Sequence, residues 1–112
     1  MNLTAKKCVA CEGGIPPLTG AALEPYLKEM KGWAVAEGKK IRKEFHFPDF
    51  KSALAFVNKV GDIAEAEGHH PDIQLGWGKV VVELSTHAIN GLSENDFILA
   101  AKIDAMENKK RP

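Results

Sequence analysis

Glu65 to His87 reads EAEGHHPDIQLGWGKVVVELSTH, and three of the four histidines in the chain lie in it. Gly68 suits a helix C-terminus, because glycine enters the left-handed conformation without a Cβ penalty. Pro71 biases His70 toward extended backbone. The pair His69-His70 is therefore predicted on a sharp change of chain direction just past a helix end. Beyond it, Asp72 to Leu75 and Lys79 to His87 read as two strands around the turn Gly76-Trp77-Gly78. In the second strand Val80, Val82, Leu84 and Thr86 alternate with Val81, Glu83, Ser85 and His87. The first set is expected to pack under helices, and the second carries His87 away from that core.

Upstream, Asp49 is placed to cap a long helix. Its residues Phe50, Ala53, Leu54, Val57, Val60 and Ala64 form an apolar stripe wide enough to cover a sheet. Ile41, Phe45 and Phe47 alternate with Arg42, Glu44 and His46. With Trp33 to Ala36 and the turn Glu37-Gly38 they predict a hairpin. His46 falls on its polar face and reads as an exposed strand histidine. A first helix over about 20–31 is expected, capped by Thr19, with Leu23, Tyr26, Leu27 and Met30 on one stripe. Downstream, Asn90-Gly91 is a turn and Ser93 caps a last helix bearing Phe97, Ile98, Ala101 and Ala105. Asp96 stands at its third position as a shortened capping-box partner. The order α-β-β-α-β-β-α predicts an α+β fold, a four-stranded antiparallel sheet with helices packed on one face. Its bare face and free edges invite oligomerisation.

A chain of 112 residues is long enough for one core and short of a second. Fifteen basic residues balance fifteen acidic ones with no basic stripe, which argues against nucleic acid as a partner. The one basic cluster, Lys109-Lys110-Arg111, reads as a solvated helix end. No run approaches the roughly 20 apolar residues of a membrane span, and no signal-peptide pattern opens the chain. The cytoplasm is the expected compartment. Residues 1–18 read as an N-terminal arm, loosely ordered, with residues 19–112 as a single domain. The arm holds both cysteines as Cys8-x-x-Cys11, half of a zinc site or a redox pair at most.

Histidine has an unperturbed pKa of about 6.5 and suits proton transfer near neutrality. Glu65 and His69 stand at i, i+4, where a carboxylate can orient an imidazole and favour its protonated form, as does a helix C-terminus. A second, neutral imidazole could accept a proton at the same time. Without a serine or cysteine nucleophile among them, His69, His70 and His87 point to acid–base elimination or isomerisation, not acyl transfer. Ser85 and Thr86 could hydrogen-bond a ring substrate. Three histidines and a carboxylate also form a valid zinc or iron set. Adjacent His69 and His70 do not easily reach one ion, however, so no metal or cofactor is expected. Histidines that merely cap a helix and fill a turn are the structural alternative. Trp33 and Trp77 read as core or rim aromatics, with stacking on a flat heterocycle as a second role.

The pattern Glu65-x-x-x-His69-His70-Pro71, five residues, Trp77, nine residues, His87, eight residues, Asp96 resembles the pterin-4a-carbinolamine dehydratase family. Phe45-His46-Phe47 with Asp49-Phe50, and Leu84-Ser85-Thr86-His87 with Gly91-Leu92-Ser93-Glu94, are similar to the same family, over roughly residues 20–106. The arm Cys8-x-x-Cys11-Glu12-Gly13-Gly14 resembles that of some bacterial and plant members. The resemblance implies dehydration of 4a-hydroxytetrahydropterin to quinonoid dihydropterin, recycled for aromatic amino acid hydroxylases, by a homodimer or homotetramer. It implies that His69 and His87 are the acid–base pair at the 4a-hydroxyl and the adjacent ring nitrogen. His70 would hold the pterin, Ser85, Thr86 and Gly68 would line the site beside Pro71, and Glu65 would orient an imidazole. Animal members carry aspartate, glutamate and arginine where this chain has Gly68, Ala88 and Asn95. Those members also serve as a dimerisation cofactor for a homeodomain transcription factor, so a non-catalytic pterin-binding or partner-binding module is the second reading.

Overall fold

Two hairpins interleave to make the sheet. In the computed structural model, which describes residues 2–9 and 16–109, strands β1 (Ala34–Ala36) and β2 (Lys40–His46) form the first hairpin. Strands β3 (Asp72–Gly76) and β4 (Lys79–Leu84) form the second. β4 lies against β2, so the order is β1-β2-β4-β3 with every pairing antiparallel. Helices α1 (Glu24–Glu29), α2 (Phe50–Glu67) and α3 (Glu94–Lys109) complete the α+β architecture. The helices cover one face, where Ile41, Phe45, Val80, Val82 and Leu84 meet Phe56, Val60, Phe97 and Ile103 in a single core. No helix among the described residues is long and apolar enough to cross a membrane.

Several elements depart from the sequence-based expectation, each for a local reason. The first helix spans Glu24–Glu29, not 20–31, and a 3-10 turn over Gly20–Leu23 precedes it. Pro25 lacks an N–H, and its ring would clash with the carbonyl four residues back, so an α-helix can hold it only in the first turn. Thr19 is extended and its side chain makes no capping bond. The buried side of α2 is Ala53, Phe56, Val60 and Ala64, while Phe50 and Leu54 are exposed. The apolar stripe is broader than the arc that touches the sheet, and Phe56 takes the central place. Trp33 is buried, but Trp77 is 74% exposed at the tip of the β3–β4 hairpin.

The sheet alternates with two exceptions. Lys43 stands opposite Val82 on the core-facing side, where its ammonium meets Asp104 at 2.9 Å and lies 4.9 Å from the centre of the Phe45 ring. Trp33 Nε1 donates to the other Asp104 oxygen, so the half-buried ammonium has a charge partner and an aromatic face. On the outer side Val81, opposite Glu44 and Gln74, is nevertheless buried. Neighbouring Arg42, Glu44 and Glu83 interlock by ion pairs there, and long charged side chains cover apolar surface with their stems. His46 is exposed, as expected.

Residues 2–9 are not loosely ordered. A 3-10 turn over Leu3–Ala5 packs on α3, and Leu3 is a core residue. Cys11, Gly13-Gly14 and the basic pair Lys110-Arg111 lie outside the described residues.

The Phe56 ring contacts Phe45 and Phe47 at centroid distances of 4.6 and 5.0 Å. Phe56→Ala is expected to lower unfolding free energy by about 3–5 kcal/mol in a denaturant titration. A loss below about 1 kcal/mol would show that this side of α2 is not the core face.

Candidate active site

The site begins where α2 stops. Gly68 adopts φ 65°, and the N–H groups of Gly68 and His69 both donate to the Ala64 carbonyl. That closure satisfies the helix end and throws the two histidines in different directions. His69 turns inward with 13% of its side chain exposed, and its Nε2 lies 2.6 Å from Asp96 Oδ1. His70 stays outside, with Nε2 hydrogen-bonded to Glu65 Oε2. The pairing of Glu65 with His69 read from i, i+4 spacing is thus replaced. Glu65 holds His70, and Asp96 holds His69. The i, i+4 relation holds only while the backbone remains helical, and the left-handed Gly68 ends it one residue before His69.

Asp96 is fully buried at the third position of α3. Besides His69, its carboxylate accepts the Thr86 hydroxyl at 2.9 Å and the Ser93 N–H at 3.0 Å. The reach back to Ser93 is one half of a capping box. The other half is missing, because the Ser93 hydroxyl bonds Thr86 Oγ1 at 2.7 Å. A carboxylate in the first turn is also favoured by the helix dipole. The predicted strand stops at Leu84, short of His87. Thr86 N–H donates to the Gly91 carbonyl at 2.7 Å, and this bridge pinches off a 3-10 turn over His87–Ile89. His87 therefore projects from a turn, exposed, and its ring makes no hydrogen bond among the described residues.

A cavity of about 240 Å³ gathers these elements. His69, His70 and His87 line it together with Gly68, Ser85 and Thr86. Pro71 and Glu65 are not in the lining; Glu65 reaches the site through His70. The Thr86 hydroxyl is already committed to Asp96 and Ser93, which makes it a support for the His69–Asp96 pair more than a free contact. A larger cavity of about 430 Å³ near Phe47, Pro48 and Phe56 holds one histidine, His46, and no cluster of proton-transfer groups. No three His, Cys, Asp or Glu side chains among the described residues converge as a metal ligand set.

Sequence reasoning named Asp96 as a helix cap and as the last residue of the family pattern, not as a partner of His69, and gave the arm no place in the site. Neither signal points to His69, which is 27 residues away. Val9, Ala88 and Asn95 complete the cavity wall. Val9 N–H donates to Asn95 Oδ1 at 3.0 Å, and Asn95 Nδ2 donates to the Val9 carbonyl at 2.7 Å. Cys8 N–H donates to Glu67 Oε1 at 2.8 Å, while Glu67 Oε2 pairs with Lys102 at 2.8 Å. The arm thereby ties the end of α2 to the start of α3, the two segments that hold His69 and Asp96. Lys102, and then the Cys8 N–H, keep the Glu67 carboxyl below its ordinary range. Burial, and then the Glu67 charge, push the Cys8 thiol up to about 11.

Comparison with known proteins gives a consistent picture. Residues 16–106 match the family described as Pterin 4 alpha carbinolamine dehydratase. A curated protein of Methylococcus capsulatus named "Putative pterin-4-alpha-carbinolamine dehydratase" is 52% identical over 106 residues, covering 94% of this chain and 93% of its own. One of the same name from Rubrobacter xylanophilus is 47% identical, covering 94% and 98%. The crystal structure of a transcriptional coactivator/pterin dehydratase from Brucella melitensis superposes with a TM-score of 0.75 at 33% identity, covering 80% and 97%. A pterin dehydratase-like protein identified as a RuBisCO assembly factor in the alpha-carboxysome superposes at 0.58 and 26% identity, covering 67% and 88%.

Two outcomes are expected from this geometry. Asp96→Asn keeps the shape but removes the charge, and should lower unfolding free energy by about 1–3 kcal/mol; unchanged stability would contradict the hub role. For Glu67 the folded pKa is depressed, so its contribution is present above its ordinary value of 4.5 and is lost as pH falls through the folded value. The stability gap between wild type and Glu67→Gln should therefore narrow between pH 6 and pH 3, and a constant gap would rule the pairing out.

Proposed function

This chain belongs to the pterin 4 alpha carbinolamine dehydratase family, and on that premise we propose that it converts 4a-hydroxytetrahydropterin to quinonoid dihydropterin and water in its three-histidine cavity. The observation that carries this reading is the convergence of His69, His70 and His87 from a helix end and a turn on one cavity wide enough for a bicyclic ring.

The reaction moves one proton in and one out. The bond from C4a to its hydroxyl oxygen breaks, the N5 lone pair forms the C4a=N5 double bond, and the oxygen leaves as water after gaining a proton. The resulting N5–H then loses its proton. His69, oriented by Asp96 through Nε2, has Nδ1 left for another partner and serves as the donor to the departing oxygen. His87 has no ring hydrogen bond among the described residues and takes the N5 proton. His70, steadied by Glu65, holds the pterin, and Ser85 offers a hydroxyl at the rim. Concerted use of an acid and a base suits a poor leaving group such as hydroxide. Asp96 is a positioning residue in this scheme: it touches His69 and Thr86, not the substrate. Replacement of aspartate and arginine of animal relatives by Gly68 and Asn95 leaves all three imidazoles in place. The pathway partner implied is an aromatic amino acid hydroxylase that generates the 4a-hydroxy adduct, with a homodimer or homotetramer as the assembly and the cytoplasm as the compartment.

An ultraviolet assay of 4a-hydroxytetrahydropterin breakdown tests the assignment. His69→Ala and His87→Ala are each expected to lose at least about 100-fold in kcat. Activity equal to wild type in both variants would leave the fold as a pterin-binding or partner-binding module. That a pterin dehydratase-like protein is a RuBisCO assembly factor in the alpha-carboxysome makes that the reading to fall back on.

A further inference from the structure

Three consecutive side chains in the first turn of α3 hold three different segments. Glu94 pairs with Lys6 at 3.1 Å, Asn95 holds Val9, and Asp96 holds His69. The middle contact stands apart from the other two. Asn95 is buried, and both ends of its amide are committed to the Val9 backbone, one accepting from the N–H and the other donating to the carbonyl. A two-point grip on the backbone fixes where the residue 9 side chain starts and which way it points. Elsewhere in the arm the anchored residues are packed: Leu3 lies in the core and Cys8 rests against it. Val9 is not packed. It is 73% exposed, and it lines the cavity of His69, His70 and His87.

Val9 is the one large aliphatic side chain in that lining, and Ala88 is the other apolar one. A bicyclic pterin has polar edges that hydrogen bonds can satisfy and flat faces that they cannot. Ligand sites meet such faces with apolar side chains. An isopropyl group already held in place loses little freedom when a ring settles on it. We infer that Val9 packs against a face of the bound pterin ring and that Asn95 is the positioning residue that holds it there. The arm thus supplies one wall of the substrate site. This rests on a pterin as the ligand of the proposed dehydration. The wall contributes binding and moves no proton, so its removal is read in Kd and KM more than in kcat.

Val9→Ala, Asn95→Ala and the double variant test this. Binding of oxidised 6-methylpterin is read by quenching of pterin fluorescence, beside turnover of the corresponding 4a-hydroxytetrahydropterin. Val9→Ala should weaken binding about three- to tenfold, the worth of the methyl groups lost from the contact. KM should rise by a similar factor, with kcat within about twofold of wild type. Asn95→Ala should weaken binding to the same degree, and adding it to Val9→Ala should cost less than about twofold more, because it acts through residue 9. Val9 is exposed, so Val9→Ala keeps the fold and carries the test should Asn95→Ala unfold. An unchanged Kd in Val9→Ala, or a loss confined to kcat, would overturn the inference. Multiplying losses in the double variant would overturn the positioning role of Asn95. Binding that Val9→Ala weakens, with no turnover by wild type, would remove the dehydratase assignment and leave the wall standing. Turnover by Val9→Ala at the wild-type KM would do the reverse.

Discussion

The buried carboxylate of Asp96 is the constraint around which the site is arranged. It has no exposure to solvent and meets an imidazole, a hydroxyl and a backbone N–H. A carboxylate in that position is tolerable only when its oxygens are hydrogen-bonded. The same contacts fix the end of α2, the Thr86 turn and the start of α3 relative to one another. Thr86 makes the link twice, through its hydroxyl to Asp96 and Ser93 and through its backbone to Gly91. The geometry of the histidine cavity and the packing of α3 are therefore one structural problem with one solution.

The sheet supplies rigidity behind that hub. β4 is central and hydrogen-bonded on both sides, so its C-terminal end at Leu84 is a fixed base from which Ser85, Thr86 and His87 leave. α2 crosses the same sheet and delivers His69 from the opposite chain direction. Two exposed residues, His70 and Glu65, then steady each other at the mouth of the cavity. A surface pair of that kind adds little to stability, and its consequence is orientation.

The arm extends the site beyond the stretch from Glu65 to Asp96. Residues 8 and 9 reach Glu67 and Asn95, each adjacent in sequence to a residue that shapes the site, Gly68 and Asp96. Burial, and then the Glu67 charge, push the Cys8 thiol up to about 11, and at this half-buried position the cysteine serves as a small packed side chain. Lys43 shows the same economy half-buried beside the core, where Asp104 and two aromatic rings accept its charge.

The α+β class, both hairpins, the long central helix and the grouping of three histidines at the ends of elements were all legible in the sequence. Each depends on local periodicity, on a cap such as Asp49, or on a breaker such as Gly68 or Pro71, and these act over a few residues. The partners of the histidines were not legible. Asp96 meets His69 across 27 residues and Glu67 meets Cys8 across 59, and no spacing rule spans such distances. The register of α2 on the sheet, which buries Phe56 and exposes Phe50 and Leu54, likewise came from packing, because an apolar stripe broader than its contact leaves the choice of face to the surface it meets. Local chemistry determined which residues could move a proton, and only the tertiary fold decided that Asp96 would hold His69, that Glu65 would hold His70 and that His87 would stand without a carboxylate among the described residues.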